Sequence, residues 1–147
     1  MTRRVLMQEK LTRSVIGAFY EVYNTLGFGF LEHIYVMALE RELRARGHRV
    51  GREVQIPVYY KRELLGTQRL DMIVDDVLVV EAKSTYELHP AAPRQLFSYL
   101  HSTKLEVGLL LHFGPRPRFY REICENARTD MSDEDWSVES VPSVECR

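Results

Sequence analysis

The chain has 147 residues, 45% of them hydrophobic and 28% charged, with a formal net charge of −1. That is the size and composition of one globular domain with a core of two or three layers, which argues against a disordered chain, a second domain or a dedicated basic nucleic-acid binder. No apolar run approaches the roughly 20 residues that cross a bilayer, and Met1 to Lys10 is basic without the apolar centre of a secretory leader. Cys124 and Cys146 lack the spacing of a zinc site or a disulfide framework, so reduced thiols, a cytoplasmic location and no membrane partner are expected.

Residues 8–24 place Leu11, Val15, Ala18, Phe19 and Val22 on one stripe, which predicts an amphipathic helix. Asn24 to Gly29 interrupts it, with Gly27 and Gly29 supplying the backbone freedom of a helix-to-helix turn. A second helix is predicted from about Phe30 to Arg46, its stripe made of Leu31, Ile34, Tyr35, Ala38, Leu39 and Leu43, with Gly47 as its stop. Glu32 lies on the edge of that apolar face, where a half-buried carboxylate needs a partner. The plain explanation is an arginine or the helix dipole, which favours an acid in a first turn.

Val54, Ile56, Val58 and Tyr60 alternate within a predicted strand from Val50 to Tyr60, and Pro57 suits an edge or a bulge. Lys61-Arg62-Glu63 is the expected turn, and the next strand begins near Leu64 or Leu65 and runs on through Asp71. Met72 to Val74 and Val77 to Val80 flank Asp75-Asp76, a hairpin signal. Its second strand ends in Glu81-Ala82-Lys83. Side chains alternate along a strand, so Glu81 and Lys83 share a face and Ala82 points away. Antiparallel pairing then sets Asp71 beside Glu81, and two adjacent anions call for a bound cation. Most E-x-K pairs are surface ion pairs of little worth. Here the approach is a run of apolar residues typical of a central strand, and charge at the end of such a strand is costly unless used or paired.

After a loop from Ser84 to Pro90, a helix is predicted from about Ala92 to Ser102, with Gln95 and Tyr99 on one face beside the stripe of Leu96 and Leu100. Core packing alone does not require a glutamine there. Gly108 to Phe113 reads as a buried strand and Arg118 to Ile123 as a last edge strand. The charge then changes. Residues 1–124 hold 18 basic and 14 acidic groups, net +4, and residues 125–147 hold seven acids against two arginines, net −5. The expected organisation is a folded domain over 1–124 and an acidic tail over 125–147, loosely ordered unless Trp136 docks it.

Gly29-Phe-Leu-Glu32-His-Ile-Tyr35, Asp71, Glu81-Ala82-Lys83 and Gln95-Leu-Phe-Ser-Tyr99-Leu100, in that order, resemble the GxxExxY protein family, which looks like a compact branch of the PD-(D/E)XK nuclease superfamily. The resemblance covers about residues 8–124. It implies a restriction-endonuclease-like α/β core, a mixed sheet of about four strands flanked by helices. It also implies Mg²⁺ or Mn²⁺ on Asp71 and Glu81, Lys83 beside the attacking water or the phosphate, Glu32 facing the metal, and Gln95 and Tyr99 lining the site. Leu70-Asp71 replaces the Pro-Asp of the superfamily pattern. The carbonyl of Ala82 is a further hard oxygen ligand, and Glu32 could complete the metal shell directly or through water.

Three functions are compatible with these residues: a metal-dependent nuclease, DNA being the more expected substrate over RNA; a nucleic-acid or protein interaction module with little catalysis; and a metal-dependent hydrolase of a small phosphorylated molecule. The nuclease ranks first, because a module has no need of Asp71, Glu81 and Lys83 together. Arg62, Arg69, Arg94, Lys104, Arg116 and Arg118 are candidates for the basic track that a nucleic acid requires. Oligomeric state stays open, a homodimer being one option.

Overall fold

A computed structural model describes residues 2–125; the acidic tail and Trp136 lie outside the described residues. The order of elements is α1 (Arg3–Leu26), α2 (Glu32–Ala45), β1 (Val50–Tyr60), β2 (Glu63–Val74), β3 (Leu78–Lys83), α3 (Ala92–His101), β4 (Val107–Phe113) and β5 (Pro117–Ile123). The strands form one mixed sheet of five in the order β1-β2-β3-β4-β5, the fifth being the edge strand expected after Gly114. β1, β2 and β3 are an antiparallel meander, β3 and β4 are parallel and joined through α3, and β5 returns antiparallel to β4. Among the described residues no helix is long and apolar enough to cross a membrane.

Each face of the sheet has its own core. On one, Val15 and Phe19 of α1 and Tyr35, Leu39 and Leu43 of α2 pack on Met72, Val74, Val80, Leu109, Leu111 and Phe113. On the other, Leu96 and Leu100 of α3 cover Val79 and Leu110 together with Leu70, Ile56 and Cys124. β3 and β4 are central and every residue of β4 is buried, as a parallel strand covered on both faces demands. Gly108 is required by this packing, because an added Cβ would lie 2.8 Å from Leu96 Cδ1.

Helix ends follow their local chemistry. α1 begins five residues earlier than its apolar stripe predicts, since the Thr2 hydroxyl accepts from the Val5 N–H and caps it. α2 ends in Gly47, φ +89°, with the His48 N–H on the Leu43 carbonyl and the Gly47 N–H on that of Arg44, the Schellman pattern that the sequence suggested. Leu31, counted in the apolar stripe of α2, is instead 71% exposed as its N-cap residue. Pro57 sits on the edge strand β1, where its missing donor is harmless. Asp75 and Asp76 both have positive φ, as a type I′ hairpin turn requires, and the Val77 N–H closes the turn onto the Val74 carbonyl.

The predicted alternation fails at one place. Leu70 packs under α3 whereas Met72 packs under α1 and α2, although residues two apart on a regular strand share a face. β2 therefore changes face at Asp71. In β1, between Arg52↔Met72 and Val54↔Leu70, Glu53 has φ 52°, a strained left-handed value for a residue with a side chain.

Candidate active site

The β2–β3 ladder runs only as far as Met72↔Val80. Past that pair the strands part, and two side chains take the place of the missing backbone bonds. The Asp71 N–H donates to Glu81 Oε1 at 2.9 Å, and the Ala82 N–H donates to Asp71 Oδ2 at 2.8 Å. Each carboxylate thus spans the fork to the opposite strand. This crossing comes from the face change at Asp71, which turns its carboxylate toward Glu81. No backbone N–H of the described residues is bonded to the second oxygen of either group.

Glu81 is only 5% exposed. Burial, and next the charge of Asp71, push its carboxyl up to about 8, against the opposing pull of the Asp71 N–H and the Lys83 ammonium. Two carboxylates are held together in a half-dry fork at a real electrostatic cost. Tyr99 of α3 reaches the same place: burial first, then Glu81 and Asp71, raise its phenol above the ordinary value. Gln95, one turn earlier on the same helix, is exposed and makes no polar contact with this cluster.

Glu32 arrives from α2 through a relay of loops. The Tyr35 phenol is fully buried, its ring stacked on Phe113 at 4.2 Å between centroids. Its hydroxyl donates to the Gly27 carbonyl at 2.5 Å and accepts from the Phe30 N–H at 3.2 Å, which shapes the loop before α2. The Phe30 carbonyl then accepts from Ser84 Oγ at 2.6 Å, tying this loop to the residue after Lys83. Glu32 thereby starts α2 beside the fork. The residue as a whole is exposed. Its carboxyl is nevertheless raised by local burial and then by Asp71, with Lys83 and the Ser84 N–H opposing, so its acidic end lies within electrostatic reach of Asp71 and Lys83. Tyr35 and Ser84 are the residues that sequence reasoning passed over as functional. The only signal was the place of Tyr35 in the Gly29, Glu32, Tyr35 spacing.

Residues 9–123 match the PD-(D/E)XK nuclease superfamily. The chain belongs to that superfamily. No curated protein matches it. A solved structure described as the crystal structure of SSO0001 is similar, with 22% sequence identity and a TM-score of 0.49, covering 81% of this chain. The chain spans 60% of that structure's length.

The PD-(D/E)XK superfamily is typically metal-dependent, and the fork suits a hard cation: two carboxylates, each with an oxygen free of backbone donors, beside the backbone of Ala82. Among the described residues no three His, Cys, Asp or Glu side chains converge on a common point, so Glu32 does not close a ready three-acid shell with Asp71 and Glu81. The superfamily's proline is replaced by Leu70, which is 0% exposed in the α3-side core and pairs with Val54. A proline there would forfeit its N–H and that packing. Of the six cations suggested for a nucleic-acid track, Arg94 lies over the Phe97 ring at 4.5 Å, and Arg116 and Arg118 line one groove.

Proposed function

We propose that this chain is a Mg²⁺- or Mn²⁺-dependent nuclease that hydrolyses phosphodiester bonds of nucleic acid, DNA in preference to RNA, at Asp71, Glu81 and Lys83. The observation that carries the reading is the fork, where two carboxylates are kept adjacent and each retains an oxygen free of backbone donors. Asp71, Glu81 and the carbonyl of Ala82 would hold the cation. When bound, it supplies Lewis acidity to the phosphate and acidifies water. Lys83 follows Glu81 by two residues, and its ammonium stabilises the charge that the phosphate gains. Glu32 orients groups at the mouth of the fork and sets its cation affinity, and Tyr99 offers a hydroxyl from α3. Gln95 serves by contact with bound substrate. The Gly29, Glu32, Tyr35 spacing and its role in seating Glu32 support placement in the GxxExxY branch, and residues 1–124 are the working domain, with the acidic tail outside it.

The test is incubation of the purified protein with single- and double-stranded DNA and RNA, with and without Mn²⁺. Cleavage that needs the ion and is lost in Asp71→Asn is expected. The same ion should raise the melting temperature of the wild type and leave that of Asp71→Asn unmoved. If no nucleic acid is cut but several bind, the interaction-module reading replaces this one.

A further inference from the structure

Beside the fork lies a groove of about 360 Å³ with walls of two kinds. Tyr86 and Leu88 of the β3–α3 loop and Tyr120 of β5 give it apolar surface, and Arg116 and Arg118 give it charge, with Glu87 as its one acid. The strand register locates it. Lys83 pairs with His112 and His112 with Arg118, so the three stand side by side at one level of the sheet. Gly108, Leu110 and Tyr120 assign that side to the face covered by α3, the face of Glu81 and Tyr99. With strands about 4.8 Å apart, Lys83 and Arg118 are separated by about 10 Å.

His112 forms the floor and is held firmly. It is 5% exposed, its Nε2 lies 2.9 Å from the Thr85 carbonyl, and its ring lies so close to Gly114 that an added Cβ there would approach within 2.6 Å. A carbonyl only accepts, so Nε2 carries the proton, and Nδ1 has no hydrogen-bond partner among the described residues. Arg116 and Arg118 are exposed and form no ion pair with any described residue. Tyr86 is 74% exposed and touches Phe28 edge-on at 6.3 Å. An open aromatic face, two unpaired guanidiniums and a floor that continues the row of Lys83 match one unstacked base and its phosphate. A paired base offers no free face to such a wall.

We propose that this groove seats an unpaired nucleotide next to the scissile phosphate, its phosphate on Arg116 and Arg118 and its base on Tyr86, so that the substrate class is single-stranded nucleic acid or a strand end. This rests on the nuclease reading for the place of the cut, and not for the binding. The experiment measures anisotropy of fluorescein-labelled oligo(dT), oligo(rU) and an internally labelled duplex whose two ends are closed by non-nucleotide linkers, on the full chain in chelator, across a salt series. Tyr86→Ala should weaken single-strand binding by about 5- to 150-fold, the loss of one base stack, and leave the duplex nearly unchanged. Tyr86→Phe, which keeps the stacking ring, should restore it. Removing Arg116 and Arg118 together should flatten the single-strand salt slope by about 1.4. Absence of single-strand binding, equal losses on single strand and duplex, an unmoved salt slope, or free thymidine monophosphate binding as tightly as oligo(dT) would each overturn the proposal. Cleavage in Mn²⁺, measured on wild type against Lys83→Ala, tests the nuclease reading separately. A strand bound through Tyr86 and left uncut defeats that reading alone.

Discussion

Tyr35→Phe isolates the hydroxyl that shapes the loop before α2. The ring is 0% exposed and keeps its stack on Phe113 and its edge contact with Phe30, so no cavity opens. What is lost is the bond to the Gly27 carbonyl at 2.5 Å and the acceptor for the Phe30 N–H at 3.2 Å. A net hydrogen bond is worth about 1 kcal/mol, and a buried group left unpaired costs about 1–3 kcal/mol. Both partners here are only part-buried, so a total of about 2 kcal/mol is expected, or about 5–10 °C in melting temperature for a domain of this size. Urea unfolding followed by far-ultraviolet circular dichroism should give a lower midpoint with an unchanged slope. A loss under about 0.5 kcal/mol, where isolated surface substitutions fall, would mean that the phenol does not hold this loop, and the seating of Glu32 would need another cause.

Glu32→Gln should weaken cation affinity more than turnover, so cleavage should recover as Mn²⁺ is raised; an unchanged Mn²⁺ requirement removes Glu32 from the site. At the other end of the sheet, His48 Nδ1 lies 2.7 Å from Asp75 Oδ2 and His48 Nε2 2.7 Å from Ser14 Oγ, which ties α1 to the β2–β3 turn. Burial alone would raise the Asp75 carboxyl, but the Arg49 N–H and His48 outweigh it and hold it below its ordinary 3.8. Its contribution to stability is therefore present above that value and is lost as the pH falls through the lower folded one, so Asp75→Asn should flatten the acid limb of a plot of urea midpoint against pH. Gly108→Ala should cost about 1–3 kcal/mol through overpacking against Leu96, and in a double-mutant cycle that cost should shrink in a Leu96→Ala background if that contact is the cause.

The adjacency of Asp71, Glu81 and Lys83 was legible because two independent patterns met: an apolar run ending in charge, and a turn at Asp75-Asp76 that returns the chain antiparallel; the exact register, 72 opposite 80, comes from a loop of residues 75–77. The meander and the helix α3 followed from period, and Pro57 narrowed β1 to an edge or a bulge; the parallel pairing of β3 with β4 was not read from the residues, the mixed sheet coming only with the resemblance. Glu32 stood out on the edge of its helix's apolar face as an acid in need of a partner, but its place facing the site came only from the resemblance, since its approach to the fork depends on loop bonds from Tyr35 and Ser84. The face change at Asp71 was not legible, because strand reading assumes a period of two throughout, and the left-handed backbone at Glu53 leaves no mark in residue type. The Ser14, His48 and Asp75 tether joins residues 34 and 27 positions apart, beyond the reach of any local pattern. The groove likewise combines a loop with two strand ends that only folding brings together.

The crossed carboxylates at the fork are mortar as well as a place for chemistry. Asp71 and Glu81 satisfy backbone N–H groups that no strand partner reaches, so a chain that had ceased to cut anything would still lose packing order by discarding them. Alanine is therefore an ambiguous probe, because it unfastens the strands and disarms the site in one step. Asparagine at 71 and glutamine at 81 keep an oxygen for the waiting N–H and remove only the charge. Those are the replacements in which the loss of a cation and the loss of a fold can be told apart.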